Sequence, residues 1–142
     1  MSVHDTDFYT WTQEQVALLR AGRVFELDVD NLIEEIEDMG RSERRELVSR
    51  LSVLLAHLLK WRYQSDHQSN SWRFTIETQR KNVNKLLRQN PGLKPIMEES
   101  VVDAYDDARL LAVKETHLGP STFPENCPWS LGQIMDDKFW PG

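Results

Sequence analysis

Apolar residues recur at three- and four-residue steps along most of the chain, which is the spacing of amphipathic α-helices. No segment alternates apolar and polar residues in the way that would predict a β-strand. The pattern predicts an all-α protein: a helical bundle of four to five main helices plus a short C-terminal helix on an extended, proline-containing arm. With 142 residues, we expect one domain, residues 1–142, that buries its own core.

The first 40 residues predict two helices. In the first, Gly22 is suited to end a helix whose apolar face is shared by Phe8, Trp11, Gln15, Leu18 and Leu19. Asp28 or Asp30 is expected to cap the second helix, and Gly40 to close it. The carboxylates of its EEIED run alternate around an apolar stripe, which favours a solvated or internally paired face over a cluster of metal ligands. The stripe consists of Val29, Leu32, Ile33 and Ile36.

Two long helices are predicted next. Ser42 is expected to open a third helix that reaches residues 63–67, with a stripe made of Leu47, Leu51, Leu54, Leu58 and Trp61. The run SDHQSNS is predicted to be a polar loop in which Ser71 caps the fourth helix. Gln79 is the one polar member of a seam in that helix, which otherwise consists of Trp72, Ile76, Val83 and Leu86.

The last third of the chain predicts one more long helix and an arm. Residues 90–92, Asn-Pro-Gly, are expected to interrupt the helical pattern. A fifth helix follows over residues 95–117. Residues 118–128 then form an extended arm, after which Ser130 and Gln133 have the spacing of a capping box for a short helix.

The net charge is −6 with a sequence pI of about 5.2, which argues against general affinity for nucleic acid or anionic lipid. The charge is unevenly distributed: residues 1–40 carry −8, residues 41–94 carry +8 and residues 95–142 carry −6. This layout is typical of helices that complement one another's charge within one bundle. The alternative is a basic face that is exposed to a partner.

Cysteine content and hydropathy bear on the compartment. Cys127 is the single cysteine, so no internal disulfide is possible, and the opening MSVHDTDFYT lacks the basic start and apolar stretch of a signal peptide. We therefore expect a cytoplasmic protein. No apolar run approaches the roughly 20 residues needed to cross a bilayer, so no membrane partner is expected.

Motifs that carry known chemistry are absent from the sequence. It contains no glycine-rich phosphate loop, no HExxH, no GxSxG and no Glu-x-x-His of a carboxylate-bridged dimetal bundle. We therefore expect no metal, no cofactor and no catalytic residue. Cys127 has no histidine in its local run, which favours a structural cysteine over a reactive thiol.

His57 is the histidine whose position allows two interpretations. At about 100° per residue it lies just beyond the apolar arc of the third helix, with Trp61 at the margin of that arc. A histidine at such a boundary is expected to hydrogen-bond a neighbouring helix while its ring stacks on an aromatic side chain. The alternative is a metal-binding or proton-transfer role, in which carboxylates of the second helix would join His57.

Several short stretches occur together in a recognisable order: DTDFYTW, LDVDNLIEEIEDMGRSERREL, LLAHLLKW, SWRFTI, AYDDAR, FPENCPW and a closing FWP. In this combination the chain resembles the bacterial family of domains of unknown function number twenty-nine. The resemblance covers nearly the whole chain and implies an all-helical bundle with no established activity. It also implies that the family's recognisable positions are His57, Lys60, Trp61, Ser71, Trp72, Arg73, Arg80, Cys127 and Pro128.

We interpret the sequence as a protein-interaction or assembly module that is not an enzyme. Trp72, Arg73 and Arg80 of the fourth helix, with Arg62 nearby, are expected to receive an acidic protein partner or a second copy of the chain. The alternative is a metal-binding protein or enzyme centred on His57.

Overall fold

A computed structural model describes residues 3–142, which form six α-helices and no β-strand. The helices are α1 (Val3–Thr6), α2 (Phe8–Arg20), α3 (Val29–Tyr63), α4 (Asn70–Gln89), α5 (Met97–Thr116) and α6 (Leu131–Met135). Short 3₁₀ turns occupy Val24–Glu26, Ser65–His67, Pro91–Ile96 and Pro120–Thr122. The all-α prediction is confirmed. Met1 and Ser2, which open the predicted domain, lie outside the described residues.

The chain divides into two compact units, Met1–Ser42 and Glu43–Gly142. The division falls inside α3 and not in a linker. One domain over residues 1–142 stays a prediction. Within the described part of the chain, no helix combines the length and apolarity needed to cross a bilayer.

The end of α2 follows the sequence-based prediction. Gly22 has a positive φ of 68°, a conformation that glycine adopts without a Cβ penalty. Its backbone N–H donates to the Leu19 carbonyl at 3.1 Å, and that of Arg23 donates to the Leu18 carbonyl at 2.9 Å. These two bonds form a Schellman motif, which satisfies carbonyls that the helix leaves unpaired at its end.

Polar contacts connect α2 to the residue that precedes α3. The Asp28 carboxylate accepts hydrogen bonds from the Asn31 side chain at 2.8 Å and from the Trp11 indole at 2.9 Å. These two bonds lower the pKa of Asp28, the Asn31 bond being the larger cause. The Asp28 backbone N–H donates in turn to the side-chain oxygen of Gln15 at 2.9 Å. A buried glutamine on an apolar face is thus satisfied, as burial of a polar group requires.

Helix α1 is joined to α3 through a histidine. The Nε2 atom of His4 lies 2.7 Å from a carboxylate oxygen of Glu35, and the ring meets the Trp11 ring edge-on at 4.6 Å between centroids. The hydrogen bond to Glu35 is the main cause that raises the pKa of His4. His4 is therefore held in its charged form over a wider pH range than a free histidine.

The prediction that Gly40 ends one helix and Ser42 opens another is wrong. Helix α3 runs without interruption from Val29 to Tyr63. A glycine inside a helix costs only about 1 kcal/mol relative to alanine, and no proline follows to force a break. The Arg41 guanidinium also forms ion pairs with carboxylates that precede Gly40, at 2.5 Å from Asp38 and 3.6 Å from Glu37. Such pairs one turn apart support a helix.

The core of the unit Glu43–Gly142 is built on the second half of α3. The predicted leucine stripe is buried, and the buried arc is wider than the stripe because Leu55 and Leu59 are also fully buried. Trp61 is half-buried and packs against this core. The facing residues of α4 and α5 include Ile76, Val83, Leu86, Met97, Ala104, Ala108 and Ala112.

The start of α4 lies two residues before the predicted one. Ser69, and not Ser71, is the N-cap, because its backbone is extended and its hydroxyl accepts from the Trp72 backbone N–H at 3.2 Å. Ser71 lies inside the helix, where its carbonyl accepts from the Thr75 hydroxyl at 3.0 Å. The sequence offers both serines, and only the backbone conformation decides between them.

The C-terminal arm is fastened to α5 and ends in the predicted short helix. The Tyr105 hydroxyl donates to the Pro124 carbonyl at 2.6 Å, and the Arg109 guanidinium donates to the Pro120 carbonyl at 2.9 Å. At α6 the Ser130 hydroxyl and the Gln133 side chain form both bonds of a capping box, which confirms that prediction.

The Tyr105 bond provides a test of how strongly the arm is held. Tyr105→Phe keeps the buried ring but leaves the Pro124 carbonyl without its donor, so we expect the free energy of unfolding to fall by about 1 to 2 kcal/mol. Urea denaturation measures this difference. Tyr9→Phe is the matched control, because Tyr9 is 72% exposed and should change stability by less than about 0.5 kcal/mol.

Candidate functional site

Three of the four predicted binding residues, Trp72, Arg73 and Arg80, lie in a group of aromatic and cationic side chains. This group, here called the aromatic–cation cluster, consists of Lys60, Trp61, Trp72, Arg73, Arg80 and Trp140. The rings of Trp61 and Trp140 lie 4.8 Å apart between centroids. The Arg73 guanidinium lies 5.1 Å from the Trp140 centroid, and that of Arg80 lies 5.7 Å from it. Both distances are within the range of a cation–π contact.

Arg80 is a buried anchor. Its side chain is fully buried, and its Nε donates to the Ile134 carbonyl at 2.8 Å in α6. Burial lowers the pKa of Arg80, while the charges of Asp137 and Asp136 oppose that shift. Arg80 is therefore a buried residue, and its part in binding an acidic partner stays a prediction. The periodicity of α4 alone does not show this burial, because the segment that covers Arg80 lies some fifty residues later.

The other predicted binding residues are more accessible. The Arg73 side chain is exposed. The Arg62 side chain is also exposed, and its guanidinium lies 5.3 Å from the centroid of the Tyr63 ring. Trp72 is half-buried, with the Lys60 ammonium 5.0 Å from its centroid. Arg73 and Trp72 therefore share the cluster, whereas Arg62 stacks on Tyr63. Binding by these residues stays a prediction.

Lys60 is a member of the cluster that the sequence analysis did not single out for function. It is 5% exposed, and its ammonium donates to the Glu115 carboxylate of α5 at 2.5 Å. This hydrogen bond is the main cause that lowers the pKa of Glu115. The pattern LLKW carried the signal, since a lysine among buried leucines requires a partner.

His57 makes its hydrogen bond within its own helix. The Nδ1 atom lies 2.8 Å from the Val53 carbonyl, one turn earlier in α3, where the expected partner was a neighbouring helix. Burial is the main cause that lowers the pKa of His57, and the charge of Lys60 adds to it. The ring is therefore neutral at pH 7, with Nδ1–H as the donor.

The acidic run EEIED belongs to the unit Met1–Ser42, whereas His57 belongs to the unit Glu43–Gly142. The alternative in which these carboxylates and His57 share a metal stays a hypothesis. Among residues 3–142 no group of three or more histidine, cysteine, aspartate or glutamate side chains has the geometry of a metal site.

Cys127 is half-buried, and its thiol lies 3.6 Å from the Trp129 carbonyl. Burial raises the pKa of the Cys127 thiol. The thiolate is the reactive form of cysteine, so this environment favours the structural interpretation of the residue.

A second candidate site is the apolar surface of the unit Met1–Ser42. Among its described residues only Trp11 and Gln15 are buried. Eleven of the fourteen exposed large hydrophobic residues belong to this unit, and only three, Phe74, Val102 and Leu110, lie elsewhere in the described chain. The eleven are Val3, Phe8, Tyr9, Val16, Leu19, Val24, Phe25, Val29, Ile33, Ile36 and Met39.

Part of this surface forms a regular stripe on α3. Val29, Ile33 and Ile36, here called the α3 apolar face, are 52%, 50% and 65% exposed. At about 100° per residue they share one side of the helix, with acidic side chains on the flanks. An apolar stripe with a polar rim is the arrangement of a surface that docks another helix.

Fold and site together define an all-helical protein with an aromatic–cation cluster and an exposed apolar surface. The match of residues 3–140 to the model of the family called Domain of unknown function DUF29 shows that the chain belongs to that family. Comparison with curated proteins and with solved structures gives no match.

The role of Arg80 as an anchor of the C-terminal segment can be measured. Arg80→Met keeps most of the buried volume but removes the donor to the Ile134 carbonyl, and we expect a loss of about 1 to 3 kcal/mol in the free energy of unfolding. Limited proteolysis should also cut after residue 123 sooner in this variant. Arg73→Met is the control. It removes an exposed cation–π contact, so the free energy of unfolding should fall by less than about 1 kcal/mol. Equal losses in both variants would contradict the anchor role.

The two histidines with shifted pKa values should titrate in opposite directions from 6.5. NMR titration of the ring protons should give a midpoint above 6.5 for His4 and below 6.5 for His57, with His4→Gln and His57→Gln providing the assignments. The contribution of His4 to stability should be complete below pH 6.5 and fade as the pH rises through its folded midpoint. That of His57 should be complete above pH 6.5 and fade as the pH falls through its folded midpoint. A reversed order would contradict the described hydrogen bonds.

Proposed function

We propose that the protein is an interaction or assembly module that is not an enzyme, and that the unit Met1–Ser42 provides its docking surface. The observation that carries the proposal is the concentration of exposed hydrophobic side chains in this unit, where Trp11 and Gln15 are the only buried residues among those described. A unit of this length, made of α1, α2 and the first part of α3, has too little chain to bury its apolar surface by itself. A partner protein that covers the surface would complete it.

The chemistry of the aromatic–cation cluster supports this choice of surface. Lys60 is paired with Glu115, and Arg80 donates to a carbonyl of α6. Two of its cations are thus used to hold helices together. Of the three cations in the cluster, Lys60, Arg73 and Arg80, Arg73 is the exposed one. The cluster therefore offers a partner one accessible cation.

We place this activity in the cytoplasm. A single cysteine, held half-buried as a thiol, suits a reducing compartment. The acidic charge of residues 1–40 favours a protein partner over nucleic acid, because phosphates would be repelled.

The proposal is tested by site-specific photo-crosslinking in cells that produce the protein. A benzophenone amino acid replaces Ile36 in one variant and Leu110 in the control, both of which are exposed hydrophobic positions in the middle of a helix. We expect a discrete protein adduct from position 36 and none from position 110, because only the former lies on the docking surface.

The mass of the adduct then identifies what covers the α3 apolar face. A product of any discrete mass that is specific to position 36 supports the proposal. Equal labelling from both positions, or no adduct from position 36, would reject the unit Met1–Ser42 as a docking surface.

A further inference from the structure

We infer that the partner of the α3 apolar face is the same face of a second copy of this chain, crossed in an antiparallel orientation near Gly40. This inference rests on the proposed function and names the occupant of its docking surface. Three features of α3 support it: the apolar stripe, a glycine without an internal role, and the order of the charges.

Gly40 lies on the same side of α3 as the stripe. At about 100° per residue it falls between Ile33 and Ile36 around the helix axis. Its backbone is helical and its φ is not positive, so no turn requires a glycine. A Cβ added at Gly40 would meet no atom within 4 Å. Within the chain, alanine would serve equally well and would favour the helix by about 1 kcal/mol.

A close helix crossing would explain this glycine. Small residues at a crossing point let two helix backbones approach, and side chains on either side then interlock. With Gly40 near a twofold axis, Ile33 and Ile36 of each copy would pack on the other copy. Because a twofold interface presents the same patch on both sides, an apolar face is its own complement.

The order of charges along α3 selects the antiparallel orientation. Residues 28–38 contain six acidic and no basic side chains, whereas Arg41, Arg44 and Arg45 follow soon afterwards. A parallel pair would place acidic residues beside acidic residues. An antiparallel pair that crosses near residues 39 and 40 places Glu37 of one copy beside Arg41 of the other, on the same flank of the apolar stripe.

The present partners of Arg41 do not oppose this rearrangement. Arg41 pairs with Asp38 and Glu37 within its own helix, and all three side chains are about half exposed. Exposed pairs of this kind contribute little free energy, so Arg41 can exchange them for carboxylates of a second copy. Since the stripe is short compared with a standard interface, we expect a weak dimer.

Sedimentation equilibrium of the full chain measures the association. The weight-average mass should rise from 16.6 kDa toward twice that value over roughly 1 to 200 μM, as expected for a micromolar dissociation constant. Ile33→Glu and Gly40→Leu should each weaken association at least about tenfold, by charge on the stripe and by bulk at the crossing. Leu110→Glu, an exposed hydrophobic position outside the face, should leave association unchanged. Circular dichroism verifies that each variant is folded.

Charge reversal tests the pairing of Glu37 with Arg41. Glu37→Arg alone and Arg41→Glu alone each place like charges across the crossing, so both variants should remain monomeric. An equimolar mixture of the two should associate, because each chain then meets opposite charges on the other. Spin labels at position 30, in a Cys127→Ser background, should lie roughly 30 Å apart in an antiparallel dimer and much closer in a parallel one.

The outcomes separate this inference from the proposed function. A chain that stays monomeric at 200 μM would overturn the inference. So would a dimer that is weakened by Leu110→Glu and not by Ile33→Glu. If the chain is monomeric while position 36 crosslinks to a protein of another mass, the docking surface stands and its occupant is a different protein. If neither association nor crosslinking occurs, both proposals fail.

Discussion

Burial of leucines on the second half of α3 is the interaction on which the unit Glu43–Gly142 depends. Five leucines between residues 51 and 59 are fully buried, and each fully buried leucine contributes about 1.5 to 3 kcal/mol relative to an exposed one. This packing supports groups that would otherwise be costly inside a protein. Arg80 and Lys60 remain buried because helices placed by the leucine core bring a carbonyl and a carboxylate within hydrogen-bonding distance.

The unit Met1–Ser42 has a different balance of interactions. Its helices are joined by polar contacts, in which Asp28 binds Trp11 and Gln15 while His4 binds Glu35. Directional hydrogen bonds of this kind specify an arrangement but contribute little net free energy to stability. The exposed apolar surface of this unit is the observation on which the proposed association rests.

Membership of the family names no reaction. The resemblance implies that His57, Trp72 and Arg80 are recognisable positions of the family. The structure places His57 in α3, Trp72 beside Lys60 and Arg80 against a carbonyl of α6. A buried guanidinium and a half-buried histidine each need particular hydrogen-bond partners. The Val53 and Ile134 carbonyls are those partners, so both residues have a structural role within the unit Glu43–Gly142.

The sequence by itself determined the helical class, the leucine stripe, the Gly22 terminus and the capping box of α6, because these depend on contacts within a few residues. The prediction that Gly40 ends a helix was wrong, since helix propensity is a weak preference that neighbouring residues override. Only the tertiary structure decided that Arg80 is covered by α6 and that Lys60 meets Glu115, 55 positions away. Those partners are distant in the chain, and periodicity shows which side of a helix a residue occupies but not what covers it.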